Sequence, residues 1–156
     1  MLVAKGNLAS TYKELGRLEE SMSLRQEVYS GHLKLNGEEH SETLREANNY
    51  ASLLLRRERY GEASNFLRKL TSVARRVLGE SHDLTLRMRH CYAKALYMDP
   101  AAALDNLREA VATLEEIEPI ARRVFGGAHP TAVAIADSLR RAQAVLRTRE
   151  TPSGSA

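Results

Sequence analysis

The chain has 156 residues, rich in aliphatic, alanine and charged side chains, with two Phe and no Trp. Small and straight-chain residues lose little rotamer freedom in a helix, so this composition favours helices over sheets. A formal net charge of +3 is compatible with an acidic peptide or a phosphate backbone as partner, but selects neither. A single cysteine excludes an internal disulfide, and no apolar run approaches the roughly 20 residues of a membrane span. We therefore expect a cytoplasmic protein that does not enter a membrane.

Read from the N-terminus, the sequence repeats with a period of 42 residues. The segment NLASTYKELGRLEES (7–21) aligns with NYASLLLRRERYGEA (49–63), and CYAKALYM (91–98) aligns in a third copy. The third unit carries about five extra residues, most simply inserted between Met98 and Ala103. Period-finding precedes any other assignment because a missed repeat leads to the wrong fold.

Each unit contains two helical patterns. In the second unit, apolar residues at spacings of three and four predict one helix; they are Leu44, Ala47, Tyr50, Ala51 and Leu54. A second helix is predicted by Tyr60, Ala63, Leu67, Leu70, Ala74 and Val77. Helix pairs that repeat at a fixed period form an α-solenoid, in which each pair buries its apolar face against its neighbours.

A Gly-x-x-His motif separates the units. It occurs as Gly37 to His40, as Gly79 to His82 and as Gly126 to His129. Gly37 and Gly79 fall where a helix C-terminus favours a residue with positive φ. The next helices are predicted to begin at or near Ser41, Asp83 and Thr131, with Pro130 in the first turn.

The three histidines are predicted to be structural. They lie one whole repeat apart, roughly 10 Å or more on helix-packing dimensions, whereas zinc ligands lie about 2 Å from one ion. We therefore expect no metal site and no cofactor, and we expect each histidine to hydrogen-bond across its turn.

The pattern in 7–21, with Leu8, Ala9, Tyr12, Gly16 and Leu18, resembles a tetratricopeptide repeat. The 42-residue period and the Gly-x-x-His turn resemble the kinesin light chain type of this repeat, over Leu2 to about Arg147. The resemblance implies an all-α, right-handed α-solenoid of tetratricopeptide-type helix pairs. The predicted array covers residues 1–147, with units of about 1–40, 41–82 and 83–129 and a final helix at 130–147. Pro119 is expected to kink the second helix of unit three, and the polar segment 148–156 is expected to be disordered.

The resemblance also implies a binding surface. In tetratricopeptide arrays the first helix of each pair lines a concave groove that receives extended or helical peptides, and kinesin light chains use it for acidic cargo peptides. The predicted peptide-binding residues are Asn7, Lys13, Arg45, Asn48, Asn49, Ser52, Arg56, Arg87, Lys94 and Arg141, flanked by Ser10, His90, Tyr97, Asp137 and Ser138. Asparagine amides can bond a peptide backbone, and arginine can grip a carboxylate. The predicted function is therefore a protein–protein interaction scaffold for an acidic peptide or partner helix.

Other functions were weighed on the same residues. Motifs for a phosphate-binding loop, a nucleophile elbow or a metalloprotease are missing, so we expect no enzyme activity. Cys91 lies on an apolar-patterned helix and is predicted to be a buried structural thiol. Paired arginines such as Arg75/Arg76 and Arg122/Arg123 leave RNA binding as an alternative, although charges at helix C-termini explain them equally well. A structural repeat region of a larger signalling protein is a further alternative. An exposed apolar end at Leu2, Leu8 and Tyr12 makes end-to-end self-association a hypothesis.

Overall fold

The computed structural model describes residues 1–151. Within this range the chain forms seven helices and no strand: α1 (Leu2–Glu14), α2 (Leu18–Asn36), α3 (Ser41–Arg56), α4 (Tyr60–Leu78), α5 (Asp83–Tyr97), α6 (Leu104–Phe125) and α7 (Pro130–Glu150). Across the same residues, no helix combines the length and apolarity that crossing a bilayer requires. The prediction of an all-α chain built from helix pairs is confirmed.

The helices stack in two layers. Each even-numbered helix packs against the odd-numbered helices before and after it, and α3, α5 and α7 also contact one another in succession. The stacking buries one continuous core, whose fully buried members include Leu44, Leu67, Leu86, Leu114 and Ile135. The predicted apolar faces of α3 and α4 lie in this core, except that Val77 is exposed. Val77 belongs to the last turn of α4.

The first helix pair is attached differently from the others. Within residues 1–151, α1 packs against α2 but does not contact α3. Arg25 of α2 bridges the gap: its Nη2 donates to Ser10 Oγ of α1 at 2.6 Å, and its Nη1 donates to Glu46 Oε2 of α3 at 2.8 Å. The Arg25 and Glu46 side chains are each only 12% exposed. An ion pair therefore joins the first unit to the rest of the array.

Each Gly-x-x-His turn is shaped by its glycine, which ends one helix, and by its histidine, which caps the next. Gly37, Gly79 and Gly126 end α2, α4 and α6 with φ of 83°, 94° and 90°, as predicted for the first two. The histidine at the end of each turn is the N-cap of the following helix, and its Nδ1 accepts the backbone N–H two residues later. These bonds measure 3.2 Å at His40, 3.0 Å at His82 and 3.1 Å at His129. The structural interpretation of the histidines is confirmed, although their hydrogen bonds cap the new helix; at His129 the ring also stacks on Phe125 of the preceding helix, with ring centroids 4.7 Å apart.

Removing one of these caps has a predictable cost. We expect His82→Ala to lower the free energy of unfolding by about 1 kcal/mol, the usual effect of losing an N-cap acceptor. His82→Asn places an amide oxygen where it can accept the same N–H and should restore most of that loss. Urea unfolding followed by circular dichroism measures both variants. Equal losses in the two variants would contradict the capping role.

The third unit is longer at two places. The connection between α5 and α6, Met98–Ala103, has six residues where the corresponding connections have three, and α6 has 22 residues where α4 has 19. The helix runs without interruption through Pro119. The longer connection contacts the end of α7, because Arg149 donates to the Ala102 and Pro100 carbonyl oxygens at 3.0 and 2.7 Å.

Helix α7 continues through Glu150, beyond the predicted boundary at residue 147. Thr148 Oγ1 donates to the carbonyl of Ala144, and Arg149 is held by the α5–α6 connection, so polar side chains stabilise this last turn. Residues 152–156 of the predicted disordered tail lie outside the described residues.

Candidate functional site

An open groove of about 700 Å³ crosses α3, α5 and α7. Its lining residues are Asn48, Asn49, Ser52, Leu55, Arg56, Arg87, His90, Cys91, Lys94, Met98, Pro130, Thr131 and Ala134. They come from the middle and end of α3, the length of α5 and the first turns of α7. The first helices of three successive units therefore form one concave surface.

The groove brings together part of the predicted site. Its lining includes six of the predicted peptide-binding residues, namely Asn48, Asn49, Ser52, Arg56, Arg87 and Lys94, together with His90. The thirteen lining residues do not include Asn7, Lys13, Arg45 or Arg141. Asn7 and Lys13 belong to α1, which does not contact α3 anywhere in residues 1–151. The gap filled by Arg25 therefore separates them from the groove.

The residues of α7 that line the groove differ from those that the repeat alignment predicts. Repeat alignment places Asp137, Ser138 and Arg141 opposite His90, Cys91 and Lys94, but the groove is lined by Pro130, Thr131 and Ala134, one to two turns earlier. Successive helices of a solenoid are rotated relative to one another, so equivalent positions do not lie at equal depth. Ser138 is buried and accepts a hydrogen bond from Tyr97 Oη at 3.2 Å.

The charge of the lining is positive. Arg56, Arg87 and Lys94 contribute cations, and none of the lining residues within 1–151 is an aspartate or glutamate. Arg87 pairs with exposed Asp83 one turn earlier at 2.6 Å. Asn49 Nδ2 donates to Glu46 Oε1 at 3.3 Å, which links the groove wall to the ion pair of Arg25. Basic groups on a concave wall attract anionic segments.

His90 lies between the groove and α7. Its Nε2 is 2.8 Å from Ser138 Oγ. Burial, with a smaller contribution from Lys94, lowers the pKa of His90 to about 4. The ring is therefore neutral at pH 7, and the positive charge of the groove comes from its arginines and lysine.

Cys91 is a buried thiol at the base of the groove, and its burial agrees with the sequence interpretation. It is 7% exposed, and burial raises the pKa of its thiol to about 11, a rise that the contacts with Ser52 and Lys94 only partly offset. The thiolate is the nucleophilic form of cysteine, so this environment suppresses reactivity.

We expect Cys91 to resist alkylation in the native protein. A rise of two pKa units lowers the thiolate fraction near pH 8 by about 100-fold. Iodoacetamide labelling, followed by mass spectrometry, should therefore proceed at least ~100-fold more slowly in buffer than in about 8 M urea, which unfolds most small domains. A similar rate in both conditions would show that the thiol is exposed.

Several lining residues were missed by the sequence interpretation because they are apolar or small. Leu55 directly follows Leu54, which was assigned to the apolar face, and Met98 caps the end of α5. Pro130 and Thr131 were considered only as a helix start, and Ala134 was not considered. Extending the repeat alignment by two helical turns towards the N-terminus of α7 and by one turn elsewhere would have included all of them as candidates.

The tetratricopeptide repeat family model matches residues 1–73 and 44–116 of this chain. The chain therefore belongs to the tetratricopeptide repeat family. Its repeats are of the kinesin light chain type, as the period and turn motif indicated and as the structural relatives below agree. Among curated proteins, none matches the chain with significant similarity.

Three solved structures share the fold. Two come from a candidate kinesin light chain of Podosopora anserina with nearly identical TPR-like repeats: a single-substitution variant with 26% identity and a TM-score of 0.76, and a second crystal structure with 24% identity and a TM-score of 0.74. Both alignments cover 95% of this chain and 68% of the other. BtubC (BKLC) from P. vanneervenii matches with 15% identity and a TM-score of 0.68, over 94% of this chain and 61% of the other. These likenesses confirm a tetratricopeptide-type α-solenoid.

Proposed function

We propose that this protein is an interaction scaffold that binds an acidic peptide or an acidic partner helix in the groove across α3, α5 and α7. The observation that carries the proposal is the charge of the lining, which combines Arg56, Arg87 and Lys94 with no carboxylate among the described lining residues. The family supports a protein partner, since tetratricopeptide arrays are interaction modules that act without catalysis.

Two further features support the groove as the binding surface. Asn48 and Ser52 place amide and hydroxyl groups beside the cations, where an extended peptide offers both donors and acceptors. The Asn48 Oδ1 is one of the buried side-chain atoms that lack a hydrogen-bond partner in residues 1–151. Unsatisfied polar groups are uncommon in native structures, and each calls for an explanation such as a missing partner.

The paired arginines offer less support for nucleic acid. Arg75 pairs with Glu80, Arg76 with Glu39 and Arg122 with Glu118. A phosphate backbone would have to displace these carboxylates, whereas two of the three groove cations, Arg56 and Lys94, form no ion pair among residues 1–151. RNA is therefore the comparison ligand in the test and not a second proposal.

The test is fluorescence anisotropy with labelled acidic peptides that contain one aromatic residue, and with single-stranded RNA beside them. We expect the wild type to bind these peptides. The triple variant Arg56→Glu, Arg87→Glu and Lys94→Glu should bind them at least ~100-fold more weakly, since each charge reversal in a desolvated contact costs about 1 kcal/mol or more. Circular dichroism establishes that the variant remains helical.

A matched triple variant controls for net charge. Lys34→Glu, Arg123→Glu and Arg147→Glu change the charge equally at exposed residues that do not line the groove. This variant should bind the peptides within a few-fold of the wild type. RNA binding alone, with a steep salt dependence and no response to the groove variant, would refute the proposal.

End-to-end self-association stays a prediction, with different residues from those first considered. Leu2 packs over Gly31, and the Arg17 guanidinium covers Tyr12 at 4.5 Å. Met1, Val3, Leu8 and Leu15 are the exposed apolar side chains of this end. We expect sedimentation velocity to show association that increases with concentration and that Val3→Lys with Leu15→Lys abolishes, while Val124→Lys, at another exposed site, does not. A monomer mass independent of concentration would contradict the prediction.

A further inference from the structure

The two ring nitrogens of His90 have different surroundings. Nε2 faces Ser138 Oγ of α7 at 2.8 Å. Nδ1 forms no hydrogen bond within residues 1–151, yet it is not one of the buried polar atoms left without a partner there. Because the His90 ring lines the groove, Nδ1 is the ring nitrogen accessible to a bound chain.

The neighbouring hydroxyl groups favour one position of the imidazole proton. Tyr97 Oη donates to Ser138 Oγ at 3.2 Å, but the serine oxygen has a second lone pair, so this bond alone does not select a tautomer. Ser10 and Ser52 donate to the carbonyl four residues earlier, whereas Ser138 forms no such bond within the described chain, and His90 Nε2 at 2.8 Å is the nearer of its two side-chain partners. Donation of the Ser138 hydrogen to Nε2 places the proton of a neutral imidazole on Nδ1.

We propose that the hydroxyl chain from Tyr97 through Ser138 holds His90 as the Nδ1–H tautomer, which gives the groove a neutral donor for an oxygen acceptor on the bound chain. The inference rests on the proposed function, because it assigns one recognition atom in that same groove. Tyr97 and Ser138 are positioning residues, since both are buried and act through the imidazole. The ring is neutral at pH 7 because burial lowers the pKa of His90.

The role of this donor differs from that of the cations around it. Arg56, Arg87 and Lys94 attract negative charge over a distance and tolerate many geometries. A neutral N–H on a buried, fixed ring is directional, so it selects where an oxygen of the ligand lies. A backbone carbonyl or a side-chain carboxylate of the peptide both satisfy it.

The first test uses the free protein, so its outcome does not depend on any ligand. Long-range ¹H–¹⁵N NMR of the imidazole distinguishes a protonated ring nitrogen from an unprotonated one. We expect a protonated Nδ1 and an unprotonated Nε2 for His90 at pH 7, and Ser138→Ala should weaken that preference. A protonated Nε2 in the wild type would overturn the proposal.

The second test uses two isosteric replacements and a labelled acidic peptide with one aromatic residue. His90→Asn puts an amide N–H near the position of Nδ1, whereas His90→Gln puts it near Nε2. We expect His90→Asn to bind the peptide within about 3-fold of the wild type. His90→Gln should bind about 10-fold more weakly, a difference of about 1.4 kcal/mol in binding free energy. Equal weakening by both variants would overturn the role of the donor.

The two experiments separate failure of this inference from failure of the proposed function. If the wild type binds none of the peptides, the groove proposal fails and with it the assignment of a ligand to His90, while the NMR result still decides the tautomer. If the wild type binds but the two isosteric variants do not differ, the groove proposal stands and this inference fails.

Discussion

Replacing Arg25 by methionine is expected to lower the free energy of unfolding by about 3 kcal/mol, as is typical when one partner of a buried ion pair is removed. The change leaves Glu46 with Asn49 as its remaining hydrogen-bond partner, and it leaves Ser10 without the guanidinium. The loss should concentrate in the first helix pair, because within residues 1–151 α1 does not pack against α3 and Arg25 hydrogen-bonds to both helices. Urea unfolding measures the total, and hydrogen exchange in α1 and α2 locates it.

Two comparisons make the interpretation specific. In the double variant Arg25→Met with Glu46→Leu no unpaired charge remains, so it should recover much of the lost stability. Arg59→Met, which removes the exposed pair with Glu62, should cost at most about 1 kcal/mol. A loss at Arg25 no larger than the loss at Arg59 would show that the bridge contributes little.

Lowering the pH from 7 to 4 is expected to cost the wild type about 3 kcal/mol more than the His90→Gln variant. Burial, then Lys94, lowers the pKa of His90 from 6.5 to about 4 in the folded protein. Between these values the unfolded chain binds a proton that the folded chain does not, so the stability difference is fully present above about pH 6.5 and is lost as the pH falls towards 4. Each unit of pKa difference corresponds to about 1.4 kcal/mol.

Urea denaturation at a series of pH values provides the measurement. Carboxylates also titrate over this range, but they do so in both proteins and cancel in the difference. His32→Gln, which removes a histidine of α2 outside the groove, is the matched control. Parallel curves for wild type and His90→Gln would show that the imidazole is not held neutral.

The sequence predicted the periodic features of this protein well, because they arise from local chemistry. The Gly-x-x-His turn needs a positive φ at Gly79 and an acceptor at His82, both of which are visible in the chain. Apolar spacing identified the buried face of α3 for the same reason. Val77 was assigned to a buried face because a periodic pattern does not indicate which turns of a helix its neighbours cover.

The site was only partly predictable, because it depends on how whole helices are placed. Asn48 and Ser52 were found since α3 lies at the centre of the groove. Lys13 was included because nothing in the sequence of α1 indicates that this helix does not pack against α3. Arg141 was included because alignment fixes a position along a helix but not its rotation in the stack. The hydrogen-bonded contact between His90 and Ser138 spans 48 residues, and no local pattern indicates it.

The Gly-x-x-His turn makes each unit a module that can be moved. The backbone and capping bonds of the turn from Gly79 to His82 join atoms between Arg75 and Leu86, and the Glu80 side chain of the turn also accepts from Arg89 of α5. The 42-residue block 41–82 carries one such turn at its C-terminal end and begins directly after the preceding turn. Duplicating residues 41–82 should lengthen the concave surface by one repeat unit, with no sequence change at the junction between the two copies. Engineers could therefore adjust how long a peptide the array accepts, independently of which residues contact that peptide.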